Sequence, residues 1–132
     1  MDIGKSFESV FQHSIMDHKS IFTLRINDST NGELPADFIS VCLGRAALIE
    51  TKATEKSFLL KSAVKNHQLN SLFNFSNMAK ENTGVVCVFL GAISFVGYIL
   101  IEDFISLNKS KITEKDLIEL KRPLDLFNFG GE

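Results

Sequence analysis

Apolar residues recur at helical spacing early in the chain, at Phe7, Val10, Phe11 and Ile15, and predict a first helix over residues 5–17. A run rich in β-branched and aromatic residues then predicts a strand over 20–26. It is followed by a polar Asp-Ser-Thr-Asn-Gly loop at 28–32, whose residue types tolerate tight turns. Two further strands are expected over 36–42 and 45–52, with only Leu43 and Gly44 between them. A long helix is expected over 59–80. Gly84 and the run Val85-Val86-Cys87-Val88 open a fourth strand, 94–101 makes a fifth, and Thr113 caps a short final helix. The order αβββαββα is that of an α/β domain with a mixed β-sheet flanked by helices. No repeat, low-complexity tract or linker divides the chain, so a single domain over 1–132 is expected.

Composition narrows the class. The chain has 132 residues, 45% of them hydrophobic and 23% charged, which is enough for one globular core. That core leans on phenylalanine, with twelve Phe, one Tyr and no Trp. No basic segment followed by an apolar run opens the sequence, as a signal peptide would. The most apolar stretch, 85–101, is interrupted by Gly91, Ser94 and Gly97 and suits two strands better than a membrane span. Cys42 and Cys87 fall inside predicted strands, where a buried thiol is the ordinary reading, and a cytoplasmic location is expected.

The net charge of −2 argues mildly against a nucleic-acid partner, but the charge is uneven. Between positions 45 and 67 lie Arg45, Lys52, Lys56, Lys61 and Lys65 against Glu50 and Glu55. Such a locally basic face on an acidic protein still attracts a polyanion.

The hairpin at Leu43-Gly44 carries the chemistry. A two-residue turn pairs Cys42 with Arg45, and counting back sets Val41 opposite Ala46, Ile39 opposite Leu48 and Asp37 opposite Glu50. Opposed residues share a face, with Cβ atoms about 4.5–5.5 Å apart, and Lys52 joins them by the period of two. Two facing carboxylates call for a cation between them. Oxygen ligands of this kind suit Mg²⁺, or Mn²⁺, better than zinc, and the backbone carbonyl of Thr51 is a further oxygen. Lys52 would then stabilise charge on a phosphate or hold an attacking hydroxide. The same residues also suit a solvated strand end with a Lys–Glu contact, and a bulge would spoil the opposition.

Lys61, Lys65 and Gln68, at i, i+4 and i+7, form one stripe on the expected long helix. With Lys56 the three lysines are candidate contacts to a phosphate backbone. A solvated helix face explains the stripe equally well. His13 and His18 are five apart and lack a helical zinc spacing, and His67, adjoining apolar Val64, reads as packed or hydrogen-bonded rather than metal-binding. Phe73, Phe75 and Met78 read as core or dimer contacts. Lys109, Lys111 and Thr113 suit either a secondary phosphate contact or a plain helix start. The Phe-rich tail after Pro123 suits docking on the body or on a partner subunit.

Three segments in order resemble the PD-(D/E)XK nuclease superfamily, and more narrowly its RecU-type Holliday-junction resolvases. They are Gly4-Lys5-Ser6-Phe7-Glu8 with His13-Ser14; Asp37-Phe38, Gly44 and Ile49-Glu50-Thr51-Lys52-Ala53-Thr54; and Phe58, Lys61 and His67-Gln68. The resemblance implies a homodimer that resolves four-way junctions by paired Mg²⁺-dependent nicks. It makes Asp37 and Glu50 metal ligands and Lys52 the catalytic lysine. Glu8 becomes an acid reaching the same metal from the first helix, and Gln68 a neighbour of the active centre. The chain departs from the family in lacking its strongly basic character. It also lacks the long projection before the catalytic acid, since fifteen positions separate Phe22 from Asp37. Two alternatives stand beside this reading: a nuclease of the same chemistry acting on other DNA, and a non-catalytic DNA-binding module that kept the fold.

Overall fold

The computed structural model describes residues 2–26 and 35–127. The expected loop at 28–32 lies outside the described residues. Helix α1 (Ile3–Met16) starts two residues earlier than the hydrophobic spacing suggests, because the Asp2 carboxylate accepts the Gly4 N–H at 2.7 Å and caps it. Phe7, Phe11 and Ile15 form its buried stripe, while Val10 faces out.

The strands are β1 (Phe22–Arg25), β2 (Phe38–Cys42), β3 (Arg45–Thr54), β4 (Phe58–Leu60), β5 (Asn82–Leu90), β6 (Phe95–Leu100), β7 (Lys111–Thr113) and β8 (Ile118–Glu119). Six of them form one sheet in the order β1-β2-β3-β5-β6-β8, and β4 pairs with β7 in a separate ribbon. The β3–β5 pair is parallel and the other pairs of the large sheet are antiparallel. The sheet is therefore mixed, as expected. Helix α1 and the C-terminal turn (Pro123–Phe127) cover one face, around Phe7, Phe38, Ile49 and Val85. Helices α2 (Asn66–Met78) and α3 (Ile101–Ser106) cover the other, around Leu48, Leu72, Val86 and Phe104.

The hairpin behaves as counted over most of its length. Leu43 and Gly44 have φ of 51° and 80°, the two positive values that a two-residue primed turn requires. The register pairs Cys42 with Arg45, Val41 with Ala46 and Ile39 with Leu48.

The long helix over 59–80 is not formed as expected. Its first third is β4, a 3₁₀ turn (Lys61–Ala63) and an extended link through Lys65. Leu59 and Val64 mimic a helical apolar spacing, but Leu59 is buried by strand pairing, with Ile112 of β7 opposite it. Pairing with β7 overrides helix propensity here. The stripe of Lys61, Lys65 and Gln68 on one helix is corrected with it. The final helix after Thr113 is likewise only a 3₁₀ turn (Glu114–Asp116), in which the Thr113 N–H and hydroxyl both donate to Asp116.

Helix α2 sits unusually close to the sheet at Gly84, where a Cβ would come within 2.4 Å of the Leu72 carbonyl oxygen. Any side chain there would push the helix outward. Both cysteines are free and buried in strands, and the C-terminal turn docks on the body, with Arg45 donating to the Phe127 carbonyl at 2.7 Å. Among the described residues no helix is long and apolar enough to cross a membrane.

Candidate active site

The site forms where β2 ends and β3 continues alone on that side. Pairing stops at Phe38 opposite Ile49, and the Asp37 N–H also donates to the Ile49 carbonyl at 2.9 Å. Two residues of β2 thus meet one of β3, as in a β-bulge. This corrects the expected one-to-one opposition of Asp37 and Glu50. The Asp37 carboxylate turns instead along the free edge of β3, where its Oδ2 accepts the Thr51 N–H at 2.8 Å and the Thr51 hydroxyl at 2.7 Å. Thr51, on the α1 side of the sheet, is therefore a positioning residue whose hydroxyl sequence reasoning missed.

Glu50 lies on the α2 side, level with Val86 of β5, and is 3% exposed. Its Oε2 accepts from the Gln68 side-chain amide at 2.9 Å and pairs with the Lys52 ammonium at 3.3 Å. Its Oε1 is buried and has no hydrogen-bond partner among the described residues. Burial first, and the nearby Asp37 charge second, push the Glu50 carboxyl up to about 7 against the pull of Lys52. A half-satisfied carboxylate in a central strand is costly, and one partner removed from a buried pair leaves the rest worse off.

Gln68 links this carboxylate to the helix end. Its side-chain oxygen accepts the Lys65 N–H at 3.0 Å, satisfying a backbone donor at the start of α2, while its nitrogen faces Glu50. Only an amide side chain does both.

Glu8 reaches the same open depression of about 310 Å³, which is also lined by Asp37, Glu50, Thr51 and Lys52. Because α1 begins at Ile3, Glu8 sits beyond the first turn, where the helix dipole alone would not select an acid. Its Oε2 is held by Arg25 of β1 at 2.7 Å, and Arg25 also donates to Gln12 at 2.7 Å. Burial, then Asp37, raise the Glu8 carboxyl against Arg25. Arg25 was also missed; its signal was a lone cation in an otherwise uncharged strand, seventeen positions from its partner.

The candidate backbone-contacting lysines separate. Lys56 lies exposed in the turn after β3 with its ammonium over the Phe58 ring, and Lys65 is exposed at the start of α2. Lys61 is committed elsewhere, donating to the Leu107 carbonyl and, at 3.3 Å, to that of Ile105. It satisfies the orphan carbonyls at the end of α3. Lys61→Ala is therefore expected to destabilise the fold by about 1–2 kcal/mol in urea unfolding; an unchanged midpoint would show that the cap is idle.

Among the described residues, no three of His, Cys, Asp and Glu converge into a ready-made metal cage. The donors present still fit a hard divalent cation: the buried Oε1 of Glu50, unpartnered among the described residues, and Asp37, whose hydrogen bonds from Thr51 both fall on Oδ2. Oxygen donors and open space together suit Mg²⁺, which keeps several waters and needs few protein ligands.

No protein-family model matches the sequence, and no curated protein matches it. Among solved structures the fold is similar to that of Archaeoglobus fulgidus Hjc, a Holliday junction resolvase from an archaeal hyperthermophile. The TM-score is 0.66 at 16% identity, covering 89% of this chain and 96% of that one. This chain has the mixed α/β fold of that resolvase.

Proposed function

We propose that this chain is a metal-dependent endodeoxyribonuclease that resolves Holliday junctions by paired nicks as a homodimer, in the manner of the RecU-type enzymes its motifs resemble. The observation that carries the nuclease reading is the buried Oε1 of Glu50, left without a partner beside Asp37 and Lys52. As an anion, an oxygen so placed is stabilised by a bound cation. The junction substrate is supported by the motif order and by the description of the similar Hjc structure as a Holliday junction resolvase.

In this reading Asp37 and Glu50 hold Mg²⁺ or Mn²⁺, with the Thr51 carbonyl and Glu8 as further oxygen donors. The metal supplies Lewis-acid polarisation of a phosphoryl oxygen and a lowered pKa for a bound water. Thr51 fixes the Asp37 carboxylate through two donors, and Gln68 fixes the Glu50 carboxylate from the other side. Lys52, 21% exposed at its side chain, faces the depression as a point charge for the scissile phosphate. Lys56 and Lys65 contact the DNA backbone. Lys61 is omitted from that role because its ammonium caps α3. The chain forms a single nuclease domain and acts in the cytoplasm.

The intact acid pair and lysine favour catalysis over a binding module that merely kept the fold. The test is cleavage of a synthetic four-way junction in Mg²⁺, in Ca²⁺ and in EDTA, with linear duplex of the same sequence as control. Symmetric nicks in the junction, dependent on Mg²⁺ and rare in the duplex, are expected. Equal cutting of both substrates would remove the junction claim, and no cutting of either would remove the nuclease.

A further inference from the structure

The β4–β7 ribbon turns one face in and one face out. Leu59 and its partner Ile112 point inward and join the core on the α2 side of the sheet. Phe58, Leu60, Lys111 and Thr113 share the opposite face. There the Lys111 ammonium stands 4.4 Å from the centroid of the Phe58 ring, and the Lys56 ammonium, from the turn before β4, stands 5.4 Å from it. Both lysines are exposed and the ring is half-buried. Among the described residues neither ammonium meets a carboxylate: Glu55 and Glu114, the acids nearest them in sequence, are exposed and bridge to neither. Lys109 is by contrast neutralised by Asp116 at 2.7 Å.

Two like charges from distant parts of the chain are thus gathered on one ring without a counter-charge. The ring attracts each ammonium, while the two ammonium groups repel one another. An anion held by both relieves that repulsion. From this arrangement we infer that Lys56, Phe58 and Lys111 form a phosphate-binding site for a duplex arm of DNA. The inference rests on the DNA substrate of the proposed function and gives that substrate a second point of attachment. None of the three residues lines the depression at Asp37 and Glu50, so the phosphate held here is not the one that reacts. Lysine is a point charge without the planar fork that reads base edges, and the site holds the backbone whatever the sequence. Phe58 keeps two flexible side chains gathered before DNA arrives, which lowers the ordering cost of binding.

The test is binding of a four-way junction and of a linear duplex in Ca²⁺, followed by anisotropy over a series of KCl concentrations. Lys111→Ala is expected to weaken both substrates by ~5–10-fold near 0.1 M salt and to reduce the slope of log K against log salt by about 1. Phe58→Leu keeps both charges and an apolar side chain, so its slope should stay that of wild type while affinity falls by about two- to fivefold. Phe58→Tyr, which keeps the ring, should bind as wild type. Lys19→Ala removes the same charge from the exposed turn after α1 and should leave the slope unchanged. Circular dichroism melts check each fold; if Phe58→Leu fails that check, the exposed Lys111 decides. A wild-type slope for Lys111→Ala overturns the inference. So does an equal loss of slope in Lys19→Ala, which would make the effect one of net charge. Weakening of the junction alone also overturns it, since the contact would then lie at the crossover and not on an arm. A protein that binds as expected but cuts no DNA would leave this site standing and sink the nuclease reading; a neutral Lys111→Ala in a protein that cuts junctions would do the reverse.

Discussion

Lys52→Ala is expected to slow junction cleavage by ~10²–10⁴-fold in kcat, the range that a positioned charge or proton donor at a phosphoryl centre commands. The side chain leaves β3 beside Glu50 and ends in the depression that also receives Asp37 and Glu8. In the proposed mechanism its loss would remove charge stabilisation from the reacting phosphate and leave the proposed backbone contacts of Lys56 and Lys65 in place. Junction affinity, measured by anisotropy in Ca²⁺, should therefore change less than threefold. Glu50→Gln and Asp37→Asn should abolish cleavage to a similar depth, and pairs of these variants should be no worse than the singles, since residues that act as one unit are not additive. A Lys52→Ala enzyme that kept wild-type kcat would remove the lysine from the chemistry.

The second large effect is on stability, and its sign is unusual for an acid. The Glu50 carboxyl stands at about 7 in the fold against an ordinary 4.5. Because the folded value is raised, the native state binds the extra proton between those two pH values. Its stabilising contribution is whole below pH 4.5, falls as pH rises, and is gone above about 7. That difference corresponds to roughly 3 kcal/mol. Glu50→Gln keeps an acceptor for Gln68 and has no charge to bury. In EDTA the variant should match wild type near pH 4.5 and melt about 10 °C higher at pH 8. If Glu50 is the metal ligand proposed above, added Mg²⁺ should close the gap at pH 8 by stabilising wild type more than the variant. Parallel melting curves for the two proteins from pH 4.5 to 8 would contradict the burial of a charge at this position.

The hairpin was the most legible part of the sequence, because the two-residue Leu-Gly turn fixes the pairing sum and leaves little freedom of register. The same count failed one residue from its end, at Asp37, where no sequence rule announces a bulge. Cys42 and Cys87, read as buried strand thiols, are buried in β2 and β5. Elements that exist only through a distant partner were not legible. β4 needs β7, and the two-residue β8 needs β6. Helix α3 was not expected, since the hydrophobic pattern extends the preceding strand to 101 and marks no element between there and Thr113, although Glu102 and Asp103 in the helix's first turn were a signal for its start. At the site, Asp37, Glu50, Lys52 and Gln68 could be named from spacing and resemblance. The partners that hold two acids in place could not, because Arg25 meets Glu8, and Thr51 meets Asp37, only through the side chain of the acid reaching across from a different strand or helix.

The close seat of α2 on Gly84 has a consequence for the order in which the molecule assembles. Asp37, Glu50 and Lys52 belong to one local hairpin, whose pairing closes over short stretches of chain and so forms early. Gln68 arrives only when the crossover through α2 brings β5 parallel to β3, a pairing that joins Ala46 to Asn82. On that order of assembly, Glu50 would stay hydrated as an ion until α2 docks. The step that docks α2 against Gly84 is the one that desolvates it, so the late stage of folding should be the stage that slows as pH rises from 5 to 8.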